Sequence, residues 1–154
     1  ITGMNKMKYS MILSLMFFAF YATARSGNAS AAGEVIVLNK ADFLAKVFNY
    51  EKNASEWKYE GDKPCIIDFY ADWCGPCRRV APILKELAAE YKDDIVIYKV
   101  DVVKEQELAS AFGINSLPTL LFVPMQGKPQ ASMGLQPKET LAKYIDEFLL
   151  EKKN

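Results

Sequence analysis

The chain has 154 residues, of which 51% are hydrophobic, so it can form one domain with a terminal segment to spare. Its 19 lysines and arginines balance its 19 aspartates and glutamates, so no excess of positive charge favours binding to nucleic acid. It has no histidine and three cysteines, which excludes a histidine-based catalytic triad, a His-ligated metal site and a four-cysteine zinc site within the chain.

The first 33 residues are typical of a targeting segment. Residues 1–3 precede Met4 and are interpreted as a cloning remnant. Lys6 and Lys8 then precede an apolar run of 14 residues at 11–24, which suits a signal peptide and is short for a bilayer span. Small-x-small cleavage patterns follow at 22–24 and 29–31.

We therefore expect residues 4–33 to be a signal peptide and linker, and residues 34–154 to be the folded domain. A periplasmic or secreted location follows from this interpretation. A terminal helix of an intracellular protein and an uncleaved membrane anchor are the two alternatives.

The remaining residues alternate short apolar runs with helical patterns. Strands are predicted at 35–38, 65–70, 95–100, 119–123 and 130–134, and helices after Asn39, after a turn at 71–76, at 105–112 and at 138–150. Residues 49–63 are predicted to be a loop, and Pro82 is predicted to kink the second helix. The order βαβαβαββα predicts parallel pairing in the first part and an antiparallel last pair.

The segment Trp73-Cys74-Gly75-Pro76-Cys77 lies where a buried strand ends and a long helix begins. Disulfide exchange needs a thiolate, and the free N–H groups and dipole of a helix N-terminus favour one on the first-turn sulfur. The spacing places the second cysteine one turn on, close enough to bond the first. We expect Cys74 to be the exposed attacker and Cys77 the shielded resolving thiol. Half of a metal site and two unrelated core thiols are the alternatives.

The ten residues from Asp68 to Cys77, DFYADWCGPC, resemble the active-site segment of the thioredoxin family. Further matches follow in order at Pro82, Lys99, Asp101, the segment GINSLPT at 113–119, Phe122, Gly127 and Gly134. The resemblance covers roughly residues 35–150 and implies an α/β thioredoxin fold, a central mixed β-sheet flanked by helices. The apolar leader and a longer segment at 49–63 depart from the family pattern.

The resemblance also implies roles for two charged side chains. Asp68 is a carboxylate in an apolar strand, so burial is expected to raise its pKa. The family pattern places it behind Cys77, where it would accept the proton of that thiol directly or through water. Lys99 would be its neighbour and would favour the ionised form. A purely structural pair of Asp68 and Lys99 is the alternative.

Leu117 and Pro118 match the cis-proline of the family. A cis bond there would face the cysteines and leave the Leu117 backbone free to bind an extended substrate by strand addition. The substrate-binding surface implied by the resemblance is formed by Trp73, Gly75, Pro76, Gly113, Ile114, Leu117, Pro118 and Gly134. Cys65, which begins a buried strand, is expected to be a small core hydrophobe, with a regulatory thiol as the alternative.

The expected function is reduction of protein disulfides outside the cytoplasm, with no cofactor or metal beyond the redox-active Cys74–Cys77 disulfide. Expected partners are client proteins with disulfides and an electron donor, for which a membrane thiol relay is expected because a cytosolic reductase could not reach an exported protein. No nucleic acid is expected, and the protein is expected to be a monomer. A disulfide oxidase or isomerase on the same fold and a non-catalytic binding or chaperone-like subunit are the alternatives.

Overall fold

The computed structural model describes residues 32–152. The predicted signal peptide therefore lies outside the described residues, apart from the two at its end. Among the helices of residues 32–152, none has both the length and the apolar character needed to cross a membrane.

A five-stranded mixed sheet forms the centre of the described part of the chain. Its strands are β1 (Val35–Val37), β2 (Cys65–Tyr70), β3 (Val96–Asp101), β4 (Thr119–Val123) and β5 (Gln130–Met133), in the spatial order β1-β3-β2-β4-β5. The first three strands pair in parallel, whereas β4 is antiparallel to β2 and β5 is antiparallel to β4. Five of the six residues of β2 are buried because this central strand is covered on both faces.

Four helices connect and flank the strands. They are α1 (Lys40–Lys46), α2 (Gly75–Glu90), α3 (Gln106–Ala111) and α4 (Lys138–Tyr144), and α4 continues as a π-helical turn at Ile145–Leu149. Asn39 caps α1 as predicted, because its side-chain oxygen accepts the N–H of Asp42 at 2.8 Å. The helix predicted at 138–150 is confirmed by α4, but its last turn, Ile145–Leu149, is π-helical. Helix α2 runs without interruption across Pro82.

Two clusters of apolar side chains form the core, one on each face of the sheet. Side chains of a strand alternate between faces, so Ile66 packs with α2 and α4 while its neighbour Ile67 packs with α1 and α3. Cys65 belongs to the cluster on the α1 and α3 face as a free, fully buried thiol, which confirms its predicted place in the core. Burial raises the pKa of the Cys65 thiol to about 12.

Residues 49–63 contain no helix or strand, as predicted, but this loop is not a free surface excursion. Its aromatic residues Tyr50, Trp57 and Tyr59 pack against the core cluster on the α1 and α3 face. The hydroxyl of Tyr59 donates to the carbonyl of Lys63 at 2.5 Å. A Cβ atom at Gly61 would overlap the Tyr59 hydroxyl oxygen, so the ring can lie across the backbone only because residue 61 is glycine.

Candidate active site

A disulfide between Cys74 and Cys77 stands at the start of α2. Strand β2 ends at Tyr70, a short turn follows, and Cys74 occupies the N-cap position in an extended backbone conformation. The two sulfurs are 2.14 Å apart and the Cα atoms 5.3 Å apart. The Cys74 sulfur also accepts the N–H of Cys77 at 3.2 Å, so it satisfies one of the N–H groups at the helix N-terminus that have no carbonyl partner.

The predicted contrast in exposure between the two cysteines is wrong for this disulfide form. Cys74 is 4% exposed and Cys77 is 3% exposed. The N-cap position turns the Cys74 sulfur toward the first helical turn, where both cysteines pack with Ala71 and Leu117. Trp73, the residue before Cys74, is by contrast 71% exposed. Any difference in role between the cysteines must therefore come from their positions on the helix.

The segment before β4 lies against the disulfide. The Leu117–Pro118 peptide bond is cis, and Leu117 packs against the two cysteines. The N–H of Gly134 donates to the carbonyl of Pro118 at 2.8 Å, which brings the end of β5 to the same place. The N–H and C=O of Leu117 itself form no hydrogen bond within residues 32–152. A backbone donor and acceptor are thus available beside the disulfide for an added strand.

The other residues predicted to bind substrate surround this point to different degrees. Gly75 and Pro76 form the half-buried first turn of α2. Gly113 is exposed with a φ of 60°, and Ile114 is half-buried in the cluster on the α1 and α3 face. Ile114 is not among the apolar residues that pack on the two cysteines, which are Tyr70, Ala71, Val102 and Leu117.

Sequence reasoning missed two exposed apolar side chains beside Gly134. Met133 is 65% exposed and Leu135 is 37% exposed, and they flank the glycine whose N–H binds Pro118. Successive side chains of a strand point to opposite faces. The place of Met133 in the edge strand β5, next to Gly134, is therefore a signal that could have identified it. With Trp73, these side chains add apolar surface that the family motif alone does not mark.

Asp68 is a buried carboxylate on the face of β2 that α2 covers. It stands opposite Lys99 of β3 and Leu120 of β4 and is 3% exposed. One of its oxygens, Oδ1, is buried without a hydrogen-bond partner among the described residues. Burial raises the pKa of Asp68 to about 7, and the positive charge of Lys99 opposes this rise.

Asp68 and Lys99 are neighbours in register, as predicted, but they form no direct ion pair within the described chain. The Lys99 ammonium lies instead 5.1 Å from the centre of the Tyr70 ring. Lys99 therefore acts on the carboxylate at a distance, and its charge offsets only part of the rise in the pKa of Asp68 that burial causes.

A cavity of about 390 Å³ leads to this carboxylate from the side of the sheet. It is lined by Gly33, Glu34, Val35, Asp68, Ala81, Leu84, Lys85 and Lys99. Its volume exceeds the ~30 Å³ share of one liquid water many times over, so water has room to reach the carboxylate. Its wall joins β1, β2, β3 and α2, and no local sequence motif marks such a site. Among residues 32–152, no group of three or more acidic or cysteine side chains could hold a metal ion.

Comparison with known proteins gives one consistent result. The family model described as Thioredoxin matches residues 34–147. A thioredoxin from Borreliella burgdorferi is 49% identical over 113 residues, covering 73% of this chain and 96% of that protein. A thioredoxin from Haemophilus influenzae is 36% identical over 116 residues, covering 75% and 98%. The solved structure of a mutant thioredoxin from Halobacterium salinarum superposes with a TM-score of 0.61 at 28% identity, covering 78% of this chain and 95% of that one.

The buried Asp68 carboxyl makes stability depend on pH. Its folded-state pKa of about 7 lies above the ordinary value of 3.8, so between these values only the native state keeps the proton. Stability from this group is therefore present at low pH and is lost as pH rises toward 7, by on the order of 4 kcal/mol. Asp68→Asn removes this loss.

Urea unfolding of both proteins at pH 4 and pH 8 checks this. The variant should gain stability relative to the parent as pH rises, and a stability difference that stays constant between the two pH values would contradict it. Asp101→Asn is the matched control, because that buried carboxylate accepts the N–H of Val103 at 2.9 Å and pairs with Lys104. It should show no such gain.

Proposed function

Because the chain belongs to the thioredoxin family of thiol–disulfide oxidoreductases, we propose that it reduces the disulfides of client proteins outside the cytoplasm. One observation carries the proposal. The Cys74–Cys77 disulfide begins α2 beside the unpaired backbone of Leu117, with the unpaired carboxylate of Asp68 on the strand that α2 covers.

The first step is attack by Cys74 in the dithiol form. The N–H of Cys77 and the dipole of α2 stabilise its thiolate, because Cys74 caps the helix and its sulfur already accepts the Cys77 N–H in the disulfide form. The thiolate forms a bond to one client sulfur, and the client disulfide breaks. The second client sulfur leaves as a thiolate and takes a proton from solvent.

The second step is resolution by Cys77. Its thiol gives its proton to Asp68, directly or through water, and the resulting thiolate attacks the Cys74 sulfur. The bond between Cys74 and the client breaks, the client's thiolate leaves and is protonated, and the disulfide seen in the structure is restored. The client gains two electrons and this protein loses them. Asp68 then releases its proton to water in the cavity.

Client binding is proposed to occur at the cis-proline. An extended client segment would pair with the N–H and C=O of Leu117, which have no partner in residues 32–152. The exposed side chains of Trp73, before α2, and Met133, at the end of β5, supply apolar surface. Backbone pairing does not depend on the client's side chains, so this mode of binding suits many different proteins.

The location is proposed from the sequence of residues 4–33. Two lysines, a 14-residue apolar run and small-residue patterns are the parts of a secretory signal. An exported reductase needs electrons from a source that crosses the membrane, and a membrane thiol relay supplies them by the same exchange chemistry. The protein is proposed to act as a monomer.

Single cysteine substitutions test the proposed order of attack. Cys74→Ser should abolish reduction of insulin disulfides, because the attacking thiolate is gone. Cys77→Ser should still attack but accumulate mixed disulfides with client proteins, because no thiol remains to resolve them. Non-reducing gels of each variant mixed with client proteins measure the trapping. Equal trapping by both variants would refute the assignment of roles.

Asp68→Asn tests proton transfer in the resolution step. The amide keeps the shape but accepts no proton, so turnover at neutral pH should fall by about tenfold or more. The parent rate should show an inflection as Asp68 ionises around its pKa of about 7, whereas the variant should show only the rise that comes from ionisation of the thiol itself. Stopped-flow measurement of mixed-disulfide decay from pH 6 to pH 8 follows the step, and identical profiles would leave Asp68 a structural role only.

Mass spectrometry of the protein from its native source tests export. The mature chain should lack most of the first 24 to 33 residues and be recovered outside the cytoplasm. An intact N-terminus at Met4 in a soluble cytosolic fraction would show that the leader is not a signal peptide.

A further inference from the structure

The loop at 49–63 takes no part in the exchange reaction, yet it contacts α3, the helix that precedes the proposed client-binding segment 113–118. Helix α3 ends at its C-cap residue, Phe112. The Phe112 ring centre lies 5.0 Å from that of Phe43, 6.0 Å from that of Phe69 and 6.1 Å from that of Tyr50. The loop therefore supplies one of three aromatic rings that fix the end of α3.

A second contact fixes the beginning of α3 to the same loop. The Lys40 ammonium lies 2.7 Å from a carboxylate oxygen of Glu51 in the loop and 2.6 Å from one of Glu107 in the first turn of α3. The backbone N–H of Lys40 also donates to Glu105 at 3.0 Å. The loop and α1 are thus joined to α3 at both of its ends, through Lys40 at its beginning and through Phe112 at its end.

The position of α3 determines the position of the residues that are proposed to bind the client. After Phe112 the chain reverses, with the N–H of Gly113 donating to Ser110 at 3.0 Å and that of Ile114 donating to Ala109 at 2.9 Å. Ile114 and Leu117 pack on the same apolar cluster as Tyr50 and Trp57. A shift of Phe112 would therefore move the segment 113–118.

At the end of α3 the loop makes its contact through the aromatic packing of Tyr50 on Phe112. The Trp57 ring centre is 4.4 Å from that of Phe48, the residue just before the loop. The Tyr50 hydroxyl is buried and has no hydrogen-bond partner among the described residues. The ring of Tyr50 is accordingly the group that matters, and its hydroxyl can be removed as a control.

We propose that the loop 49–63 is a specificity element that positions the docking segment 113–118 through the contact of Tyr50 with Phe112. Tyr50 is a positioning residue, because its proposed effect on the client acts through Phe112 and the segment 113–118. It sets affinity for extended protein segments, which use the Leu117 backbone, and leaves small disulfides unaffected, since these need only the sulfur. The inference rests on the proposed function for the role of segment 113–118.

Kinetics of the full-length Tyr50→Ala variant with two substrates test the proposal. The KM for insulin should rise about fivefold, equivalent to about 1 kcal/mol of binding, while kcat and the rate with dithiobis(nitrobenzoic acid) stay within about twofold. Tyr50→Phe should retain the parent KM. Ile145→Val, in the core cluster on the opposite face of the sheet, controls for a general loss of stability and should also keep the parent KM.

Amide hydrogen exchange gives a second readout that does not depend on activity. The Gly113 and Ile114 amides should exchange faster in Tyr50→Ala and at the parent rate in the two controls. An unchanged KM in Tyr50→Ala, an equal loss with both substrates, or unchanged exchange at these amides would overturn the proposal. A parent protein that reduces neither substrate would refute the proposed function, and the exchange of the two amides would still decide whether the loop positions the segment.

Discussion

The packing of α2 against the buried central strand β2 is the interaction on which the rest of the structure depends. Because β2 is covered on both faces, the place where it ends is fixed, and the turn after Tyr70 delivers Cys74 to the N-cap of α2. The sulfur there accepts the N–H of Cys77, which no backbone carbonyl satisfies. The same packing buries Asp68 under the helix without a donor for one of its oxygens. Strand burial thus arranges both the nucleophile and the proposed proton acceptor.

A cost in stability accompanies this arrangement. A buried carboxylate without a hydrogen-bond partner is unfavourable when ionised, and a well-packed neutral side chain would serve the fold better at neutral pH. The ammonium of Lys99 reduces this cost without removing it, since it lies over the Tyr70 ring and makes no direct ion pair with the carboxylate. A carboxyl group whose pKa lies near neutral pH is suited to the proposed uptake and release of a proton in each cycle, whereas a fully paired carboxylate would stay ionised.

Much of the fold and part of the site could be predicted from the sequence. Short apolar runs located the strands and helical spacing located the helices, because the run of β2 and the apolar face of α2 are regular, while the π-helical turn after Tyr144 has no sequence signal. The exposure of Cys74 was predicted wrongly, since the direction of an N-cap side chain depends on the turn geometry. The cavity beside Asp68 and the contact of Tyr50 with Phe112 join segments far apart in the chain, so no local pattern could reveal them.

The reduction potential of the Cys74–Cys77 pair tests the central claim of a reductase most directly. A strong oxidase stabilises its thiolate beyond what a helix N-terminus provides, whereas this chain has no histidine to add and Asp68 places negative charge on the strand beneath the helix. Equilibration with dithiothreitol should give a potential near the value of about −270 mV known for thioredoxin. A value more oxidising than about −180 mV, that of protein disulfide isomerase, would contradict the claim and indicate an oxidase or isomerase.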